Sequence, residues 1–66
     1  IQRPVLLAHA ADLAARLAPQ GHLILAGLLE VDEDPIREAY AAQGLQGGPA
    51  TREKDWIALR LQRREG

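Results

Sequence analysis

Few side chains in this sequence could do covalent chemistry. The 66 residues contain no Cys and no Ser, so Thr51 is the one aliphatic hydroxyl, and the sequence places no base beside it. The two histidines, His9 and His22, lack a second His or carboxylate at a metal-ligand spacing. A nucleophile needs an activating base within reach, and a metal ion needs several converging ligands. The sequence therefore predicts neither nucleophilic catalysis nor a metal centre within these residues.

Two charged clusters have simple structural explanations. The acidic run at residues 30–34 lacks the Gly and the distal Glu of a calcium loop. Carboxylates there can instead stabilise the positive end of a following helix. Arg60, Arg63 and Arg64 could contact a phosphate, but arginines near a chain end are more typical of a solvated, frayed terminus. The structural explanation is favoured for both clusters.

Trp56, the single Trp of the chain, is the most informative side chain. It could anchor a thin, almost wholly aliphatic core. Alternatively, its flat indole could form the wall of a pocket that holds an apolar or cationic group. Tyr40, the single Tyr, is expected in the core with its hydroxyl at the rim. The sequence leaves both roles of Trp56 open.

Hydrophobic periodicity predicts the elements that would position these side chains. Apolar residues recur at steps of three and four from Pro4 to Leu17, which indicates one face of a helix that Pro19 ends. The apolar run from His22 to Gly27, bounded by turn residues, predicts a strand buried on both faces, as in parallel sheets covered by helices. A first helix and a first strand are therefore expected.

The second half of the chain predicts a helix followed by a hairpin. Asp34 can cap a helix that ends near Gly44 in a left-handed conformation. Gly-Gly-Pro at 47–49 indicates a break or bulge, because a phosphate loop needs a strand before it and a helix after it. Residues 50–53 could form a short edge strand, and the alternation from Trp56 to Gln62 predicts another. The predicted fold is α/β, in the order helix, strand, helix, strand, strand, with a closing antiparallel hairpin.

Composition and charge exclude several classes of protein. Hydrophobic residues make up 47% of the chain, too many for a disordered segment, and the net charge of −1 lacks the basic excess of a nucleic-acid-binding protein. The longest apolar run, Leu23 to Leu29, is far shorter than the roughly 20 residues of a membrane span. The chain opens with neither a secretion signal nor an initiator Met. We therefore expect one small domain, or a fragment of a longer protein, with no membrane or nucleic-acid partner.

Residues 17–27 resemble the helix–turn–strand of Rossmann-like methyltransferases that use S-adenosylmethionine. A turn of leucine, x, proline, glycine, glycine typically precedes the fifth strand of those enzymes, and here Gln20 replaces the first glycine. Three later segments are similar to the C-terminal end of PrmA-type ribosomal protein methyltransferases, namely residues 27–30, 36–40 and 56–59. Residues 1–5 resemble the tail of that family's segment asparagine, isoleucine, leucine, alanine, arginine, proline, leucine, with Gln2 in the alanine position.

The resemblance implies that residues 1–66 are the C-terminal portion of a methyltransferase catalytic domain. They would supply the last three strands of a Rossmann-like sheet, with the last strand antiparallel and between the other two. The elements that bind S-adenosylmethionine would lie mainly in the missing N-terminal half, and so would the Asn that precedes Ile1 in the family segment. The isolated chain is then expected to be inactive. It should self-associate through the exposed edge of the strand at Leu23–Ala26.

The same resemblance implies a cytoplasmic enzyme that methylates amino groups of a large-subunit ribosomal protein. Open α/β sheets bind ligands at the carboxyl ends of their strands. The residues expected to line the acceptor side are Ile1, Gln2, Gly27, Leu28 and Trp56. Two other interpretations stay open: a Rossmann-like methyltransferase with a different acceptor, and a small α/β interaction module without enzymatic activity.

Overall fold

Helices cover one face of an antiparallel sheet in the computed structural model, which describes residues 3–64. This part of the chain forms three α-helices and four strands, with one 3-10 turn at Glu30–Asp32. The helices are α1 (Arg3–Ala8), α2 (Ala10–Arg16) and α3 (Glu33–Ala41). The strands are β1 (His22–Leu28), β2 (Leu45–Gly47), β3 (Thr51–Glu53) and β4 (Trp56–Arg63). No helix within residues 3–64 has the length and apolar character needed to cross a membrane.

The predicted first helix is present as two segments that meet at His9. The backbone of His9, with φ −107° and ψ 11°, departs from helical geometry. Hydrogen bonds still run through this point, because His9 N–H donates to the Val5 carbonyl at 3.1 Å and Leu13 N–H donates to the His9 carbonyl at 2.9 Å. The segments therefore form a nearly continuous rod that ends before Pro19.

Strand β4 lies at the centre of the sheet. It pairs with β1 on one side and with both β2 and β3 on the other, and all three pairings are antiparallel. Strands β1, β2 and β3 thus run in one direction and β4 in the opposite one, which is the arrangement that the resemblance implies. The predicted hairpin is present as β3 and β4, joined through Lys54 in a left-handed conformation with φ 48°.

The edge strand beside β4 is longer than the sequence predicted, and it is interrupted. The structure adds β2 ahead of β3, so the break covers residues 48–50 rather than beginning at Gly47. A Cβ at Gly47 would lie 2.0 Å from the backbone carbonyl oxygen of Arg60. Only glycine permits this close approach to β4, so Gly47 belongs to the strand, and of the predicted break or bulge the break remains at residues 48–50.

The prediction that β1 is buried on both faces is wrong for the described residues. Leu25 is 4% exposed on the face that the helices cover, whereas Ile24 is 67% exposed on the other face. A continuous apolar run indicates burial on both faces, but here the helices cover only one. The second face of β1 is open, and β1 is also at the end of the strand order.

The core between the helices and the sheet is aliphatic around one aromatic side chain, Tyr40. Its other members are Leu6, Ala10, Ala14, Leu25, Leu28, Ile36, Leu45, Ile57, Leu59 and Leu61. The Tyr40 hydroxyl was expected at the rim, but it is fully buried and donates to the Leu6 carbonyl at 2.8 Å. Burial raises the pKa of this hydroxyl above its ordinary value. Trp56 is 42% exposed, so it does not anchor the core.

The arginines at the end of β4 are ordered by the helices. The Arg63 guanidinium donates to the carbonyls of Ala14 and Leu17 at the C-terminal end of α2, the second at 2.6 Å. Arg64 donates to the Ala41 carbonyl at the end of α3 at 3.3 Å. Cations favour the negative end of a helix, where carbonyls lack intrahelical partners. The expectation of a frayed terminus is therefore wrong for these two residues.

Candidate functional site

Three of the predicted acceptor-side residues lie at one end of the sheet. Gly27 and Leu28 end β1, and Trp56 begins β4. Leu28 pairs with Ile57, the neighbour of Trp56, so the end of β1 and the start of β4 are adjacent. Ile1 and Gln2 lie outside the described residues, and their predicted role stays a prediction. The sheet thus brings two separate sequence segments to one edge.

A β-bulge at Gly27 shapes this end of β1. Leu25 pairs with Leu59, and Leu28 pairs with Ile57, so two residues of β1 oppose one residue of β4. Gly27 has φ 74°, a left-handed conformation that glycine adopts without the steric cost of a Cβ. Bulges of this kind redirect the side chains that follow them.

The bulge decides which side chain reaches the surface. Leu25 and Leu28 are three residues apart, yet both point into the core, which simple alternation along a strand would forbid. Leu28 is predicted to line the acceptor side, but its side chain is fully buried in the core. The neighbouring Leu29, which is 56% exposed, is the leucine at the surface after the bulge. A glycine inside an apolar strand was the signal that could have predicted the change.

A tight turn fixes the chain where it leaves β1. The Leu29 N–H donates to Asp32 Oδ2 at 3.0 Å, and the Asp32 N–H donates to the Leu29 carbonyl at 2.9 Å. Next to it, the Glu33 carboxylate accepts from Arg37 Nε at 2.8 Å. These contacts support the structural explanation of the acidic run. They leave Glu30 as the carboxylate of the turn that faces the Trp56 end of the sheet.

A small pocket of about 210 Å³ lies beside Trp56. Trp56, which is 42% exposed, is one of its lining residues. Two others, Glu30 and Arg52, form an ion pair with 3.1 Å between Glu30 Oε1 and Arg52 Nη1, and both side chains are exposed. The lining residues are Glu30, Arg52, Lys54, Asp55, Trp56 and Ile57. An aromatic face beside a carboxylate is suited to a cationic group.

Sequence reasoning missed Glu30 and Arg52 as members of this site. Glu30 was grouped with an acidic run that serves the following helix, and Arg52 belonged to a short edge strand. They meet because β1 and β3 flank opposite sides of β4 near its first residues. Pairing between distant segments is not visible in local composition, so no signal in the sequence identified this ion pair.

The rest of the described chain offers little for a metal or a phosphate. Residues 3–64 contain no group of three or more side chains that could hold a metal ion. Arg60, one of the candidate phosphate ligands, donates from Nε to His22 Nδ1 at 3.2 Å on the open face of the sheet. Gly44, with φ 83°, lies in the turn between α3 and β2, and Gly47 lies in β2, so neither belongs to a strand–loop–helix cradle.

The chain is similar to a family of known enzymes over nearly its whole length. The family model described as ribosomal protein L11 methyltransferase (PrmA) matches residues 1–64. Over 53 residues the chain is 42% identical to the ribosomal protein L11 methyltransferase of Geobacter metallireducens, covering 80% of this chain and 18% of that protein. The enzyme of the same name from Chloroflexus aurantiacus is 44% identical over 55 residues, which cover 83% of this chain and 17% of the relative.

A third relative agrees in both identity and coverage. The ribosomal protein L11 methyltransferase of Syntrophotalea carbinolica is 42% identical over 50 residues, covering 76% of this chain and 16% of that protein. The chain therefore spans less than a fifth of the length of the curated relatives it matches. The candidate site lies within the matched residues.

Proposed function

Because this chain belongs to the ribosomal protein L11 methyltransferase (PrmA) family, we propose that it forms the C-terminal portion of an enzyme that methylates a ribosomal protein. The methyl donor is S-adenosylmethionine, the acceptors are amino groups of ribosomal protein L11, and the enzyme acts in the cytoplasm. The family match over residues 1–64 supports this proposal. So does the small share of each relative that the chain covers.

The open side of β1 supports a sheet that continues beyond the described residues. Strand β1 ends the strand order, so the backbone groups along its outer edge face away from β4. Ile24, on the uncovered face, is 67% exposed. We propose that further strands and helices of a Rossmann-like methyltransferase domain pair with this edge and cover this face. The antiparallel position of β4 between its neighbours fits such a sheet.

The described residues do not form a site for S-adenosylmethionine. Gly27 is the one glycine in residues 3–64 at the end of a strand that leads to a helix, and it is a single glycine in a bulge, without the further glycines of a phosphate or nucleotide loop. When bound, the cofactor supplies a methyl group on a sulfonium. We assign its binding to the N-terminal part of the enzyme, and we derive no role for residues 3–64 in holding it.

The acceptor side is where these residues contribute. Methyl transfer to an amine requires alignment of the nitrogen with the transferred methyl group and exclusion of water. The observation that carries the proposal is the pairing of the end of β1 with the start of β4, which brings the segment of Gly27 and the segment of Trp56 to one end of the sheet. With Ile1 and Gln2 placed by sequence at the same end, and with Leu29 rather than the buried Leu28 at the surface, this region would enclose and orient the acceptor amine.

The full-length enzyme and purified ribosomal protein L11 provide the test. Transfer of a labelled methyl group from S-adenosylmethionine to the protein should occur with the wild type. It should fall at least about tenfold with Trp56→Ala, whereas Trp56→Phe, which keeps an aromatic face, retains most of the activity. Leu7→Ala, at a partly exposed apolar residue on α1, is the matched control. Equal loss of activity in Leu7→Ala and Trp56→Ala would contradict an acceptor-side role of Trp56.

The methyl-transfer assay, together with a calorimetric titration of the full-length enzyme with S-adenosylmethionine, distinguishes this function from the two other interpretations. Binding of S-adenosylmethionine, measured by calorimetry, without methylation of ribosomal protein L11 would indicate a methyltransferase with another acceptor. Failure to bind the cofactor would indicate a module without enzymatic activity. The 66-residue chain alone should transfer no methyl group.

We also propose that the isolated chain self-associates through the outer edge of β1. That edge runs from His22 to Leu28 without a Lys, a Pro or a carboxylate that would discourage pairing with another chain. Light scattering after size-exclusion chromatography should show concentration-dependent dimers. Ala26→Pro, which removes a backbone donor, should abolish them, and a wild-type chain that stays monomeric at high concentration would refute this proposal.

A further inference from the structure

We propose that Glu30 and Trp56 form a subsite for one cationic side chain of the acceptor protein, at a position next to the residue that is methylated. This inference rests on the proposed function, because it assumes a protein acceptor. It identifies a specificity-determining pair rather than a group that takes part in the reaction. The inference is argued from the lining residues and size of the pocket beside Trp56 and from the exposed ion pair at its edge.

The pocket has the size and chemistry for a single side chain. Its volume of about 210 Å³ is below the roughly 300–1,000 Å³ of sites that hold whole small molecules. A cation over an indole face is attracted by the ring, and the Glu30 carboxylate adds a charge-assisted hydrogen bond. A Lys or Arg side chain of the acceptor meets both requirements, with its aliphatic stem against the Trp56 ring.

Arg52 shows that the Glu30 carboxylate pairs with a cation at the edge of this pocket. Its guanidinium contacts Glu30 Oε1 at 3.1 Å, and both side chains are exposed, with 60% and 74% of their surfaces accessible. An ion pair this exposed contributes little to stability, since water and salt screen it. A cationic side chain of the acceptor can therefore replace Arg52 beside Glu30 at a small cost in stability. One positive charge leaves the Glu30 carboxylate and another takes its place.

The backbone on both sides of Glu30 is fixed. The bulge at Gly27 lies three residues before Glu30, near the end of β1. The paired hydrogen bonds between Leu29 and Asp32 close the turn that contains Glu30. Trp56 is fixed as the first residue of the central strand. The backbone at both positions is therefore held by strand pairing and turn hydrogen bonds, as a recognition site requires, and the two exposed side chains can adjust to a ligand.

Glu30 is unsuited to contact the reacting amine itself. A carboxylate beside an ammonium favours the charged form and raises the pKa of the amine. Attack on a methyl group requires the neutral amine, so such a contact would slow the reaction. The subsite must therefore bind a neighbouring cation of the acceptor, which affects the KM for the acceptor more than kcat.

Two variants of the full-length enzyme test this with opposite expected results. Glu30→Gln should raise the KM for ribosomal protein L11 by about three- to tenfold with kcat nearly unchanged, because it removes the charge that binds the cation. Arg52→Gln should lower the KM, because it removes the internal competitor. A purely structural ion pair would make both variants change KM in the same direction, and that result, or no change in either, would overturn the proposal.

A binding measurement distinguishes failure of this inference from failure of the proposed function. The probe is a short peptide of alternating Lys and Ala, titrated into the full-length enzyme without cofactor and compared with a peptide that has norleucine in place of Lys. Preference for the Lys peptide that weakens in Glu30→Gln and strengthens in Arg52→Gln supports the subsite even if ribosomal protein L11 is not methylated. Equal binding of both peptides by the wild type, or equal affinities of the variants, would overturn it.

Discussion

The two ends of strand β4 hold their charged side chains in opposite ways. At the end where β4 begins, which we call the Trp56 end, Glu30 and Arg52 pair with each other in an exposed position. At the end where β4 finishes, the arginine end, Arg63 and Arg64 donate to the terminal carbonyls of α2 and α3. Charged groups committed to backbone carbonyls stabilise the fold, whereas a weak exposed pair can be exchanged for a ligand.

Left-handed backbone conformations occur at both ends. At the Trp56 end they belong to Gly27, in the bulge of β1, and to Lys54, in the turn before β4. At the arginine end Gly44 has φ 83°, and its carbonyl accepts from the Arg64 N–H at 2.9 Å. Backbone conformation therefore does not distinguish the two ends, and the difference between them lies in the contacts of their charged side chains.

The largest expected effect comes from Gly47→Ala at the arginine end. Its Cβ would lie 2.0 Å from the Arg60 carbonyl oxygen, so β2 must separate from β4. We expect a loss of about 3 kcal/mol in the free energy of unfolding, measured by urea denaturation followed by circular dichroism. Gly48→Ala is the matched control, because a Cβ there meets nothing within 4 Å. Similar stabilities of the two variants would show that the edge strand is not held as described.

The next effect is that of Arg63→Met, which keeps the length of the side chain and removes its charge. The Leu17 carbonyl would lose its guanidinium donor, the Ala14 carbonyl would keep only the Leu17 N–H, and we expect a loss of about 2 kcal/mol in unfolding free energy. Arg60→Met, on the open face of the sheet, should cost far less because Arg60 contacts only the exposed His22. Equal costs would show that the contacts of Arg63 with the helix carbonyls contribute no more stability than the exposed contact of Arg60.

A smaller effect concerns Tyr40, whose buried hydroxyl links α3 to α1. Because burial raises its pKa above the ordinary 10.0, the unfolded chain ionises first as the pH rises. The stability that the neutral hydroxyl contributes is complete below about pH 10 and is lost as the pH rises through the folded-state pKa. Tyr40→Phe should be about 1 kcal/mol less stable at pH 7, and the difference should shrink above pH 10. A constant difference up to pH 11 would contradict burial of the hydroxyl.

Much of the fold could be predicted from the sequence because it depends on local patterns. Periodicity located the helical region before Pro19, and alternation located β4 with Ile57, Leu59 and Leu61 facing the core. The elements that were missed depend on contacts between distant segments. β2 exists because Gly47 approaches Arg60, and Arg63 is ordered because the end of α2 lies within its reach. Neither contact leaves a mark on local composition.

The candidate site was predicted in part for the same reason. Gly27 and Trp56 were placed together through the resemblance and the rule for strand ends, and the structure brings them to one edge. Leu28 is predicted on the acceptor side because it follows the predicted strand, but the bulge turns its side chain into the core and leaves Leu29 at the surface. Glu30 and Arg52 are joined only by the order of strands in the sheet. The chemistry of a single residue is visible in a sequence, but its partner across a sheet is not.

The smallest expected effect is the change in stability when the Glu30–Arg52 ion pair is removed, and it bears directly on the difference between the two ends of β4. Glu30→Gln, Arg52→Gln and the double variant should each change the unfolding free energy by less than about 0.5 kcal/mol, because both side chains are largely exposed. A double-mutant cycle in low and high salt gives the coupling energy of the pair. A coupling near zero, together with the opposite KM effects in the full-length enzyme, would separate binding from stability at the Trp56 end. A coupling above about 1.5 kcal/mol would show that Arg52 cannot be displaced cheaply, and the two ends of β4 would then both be structural.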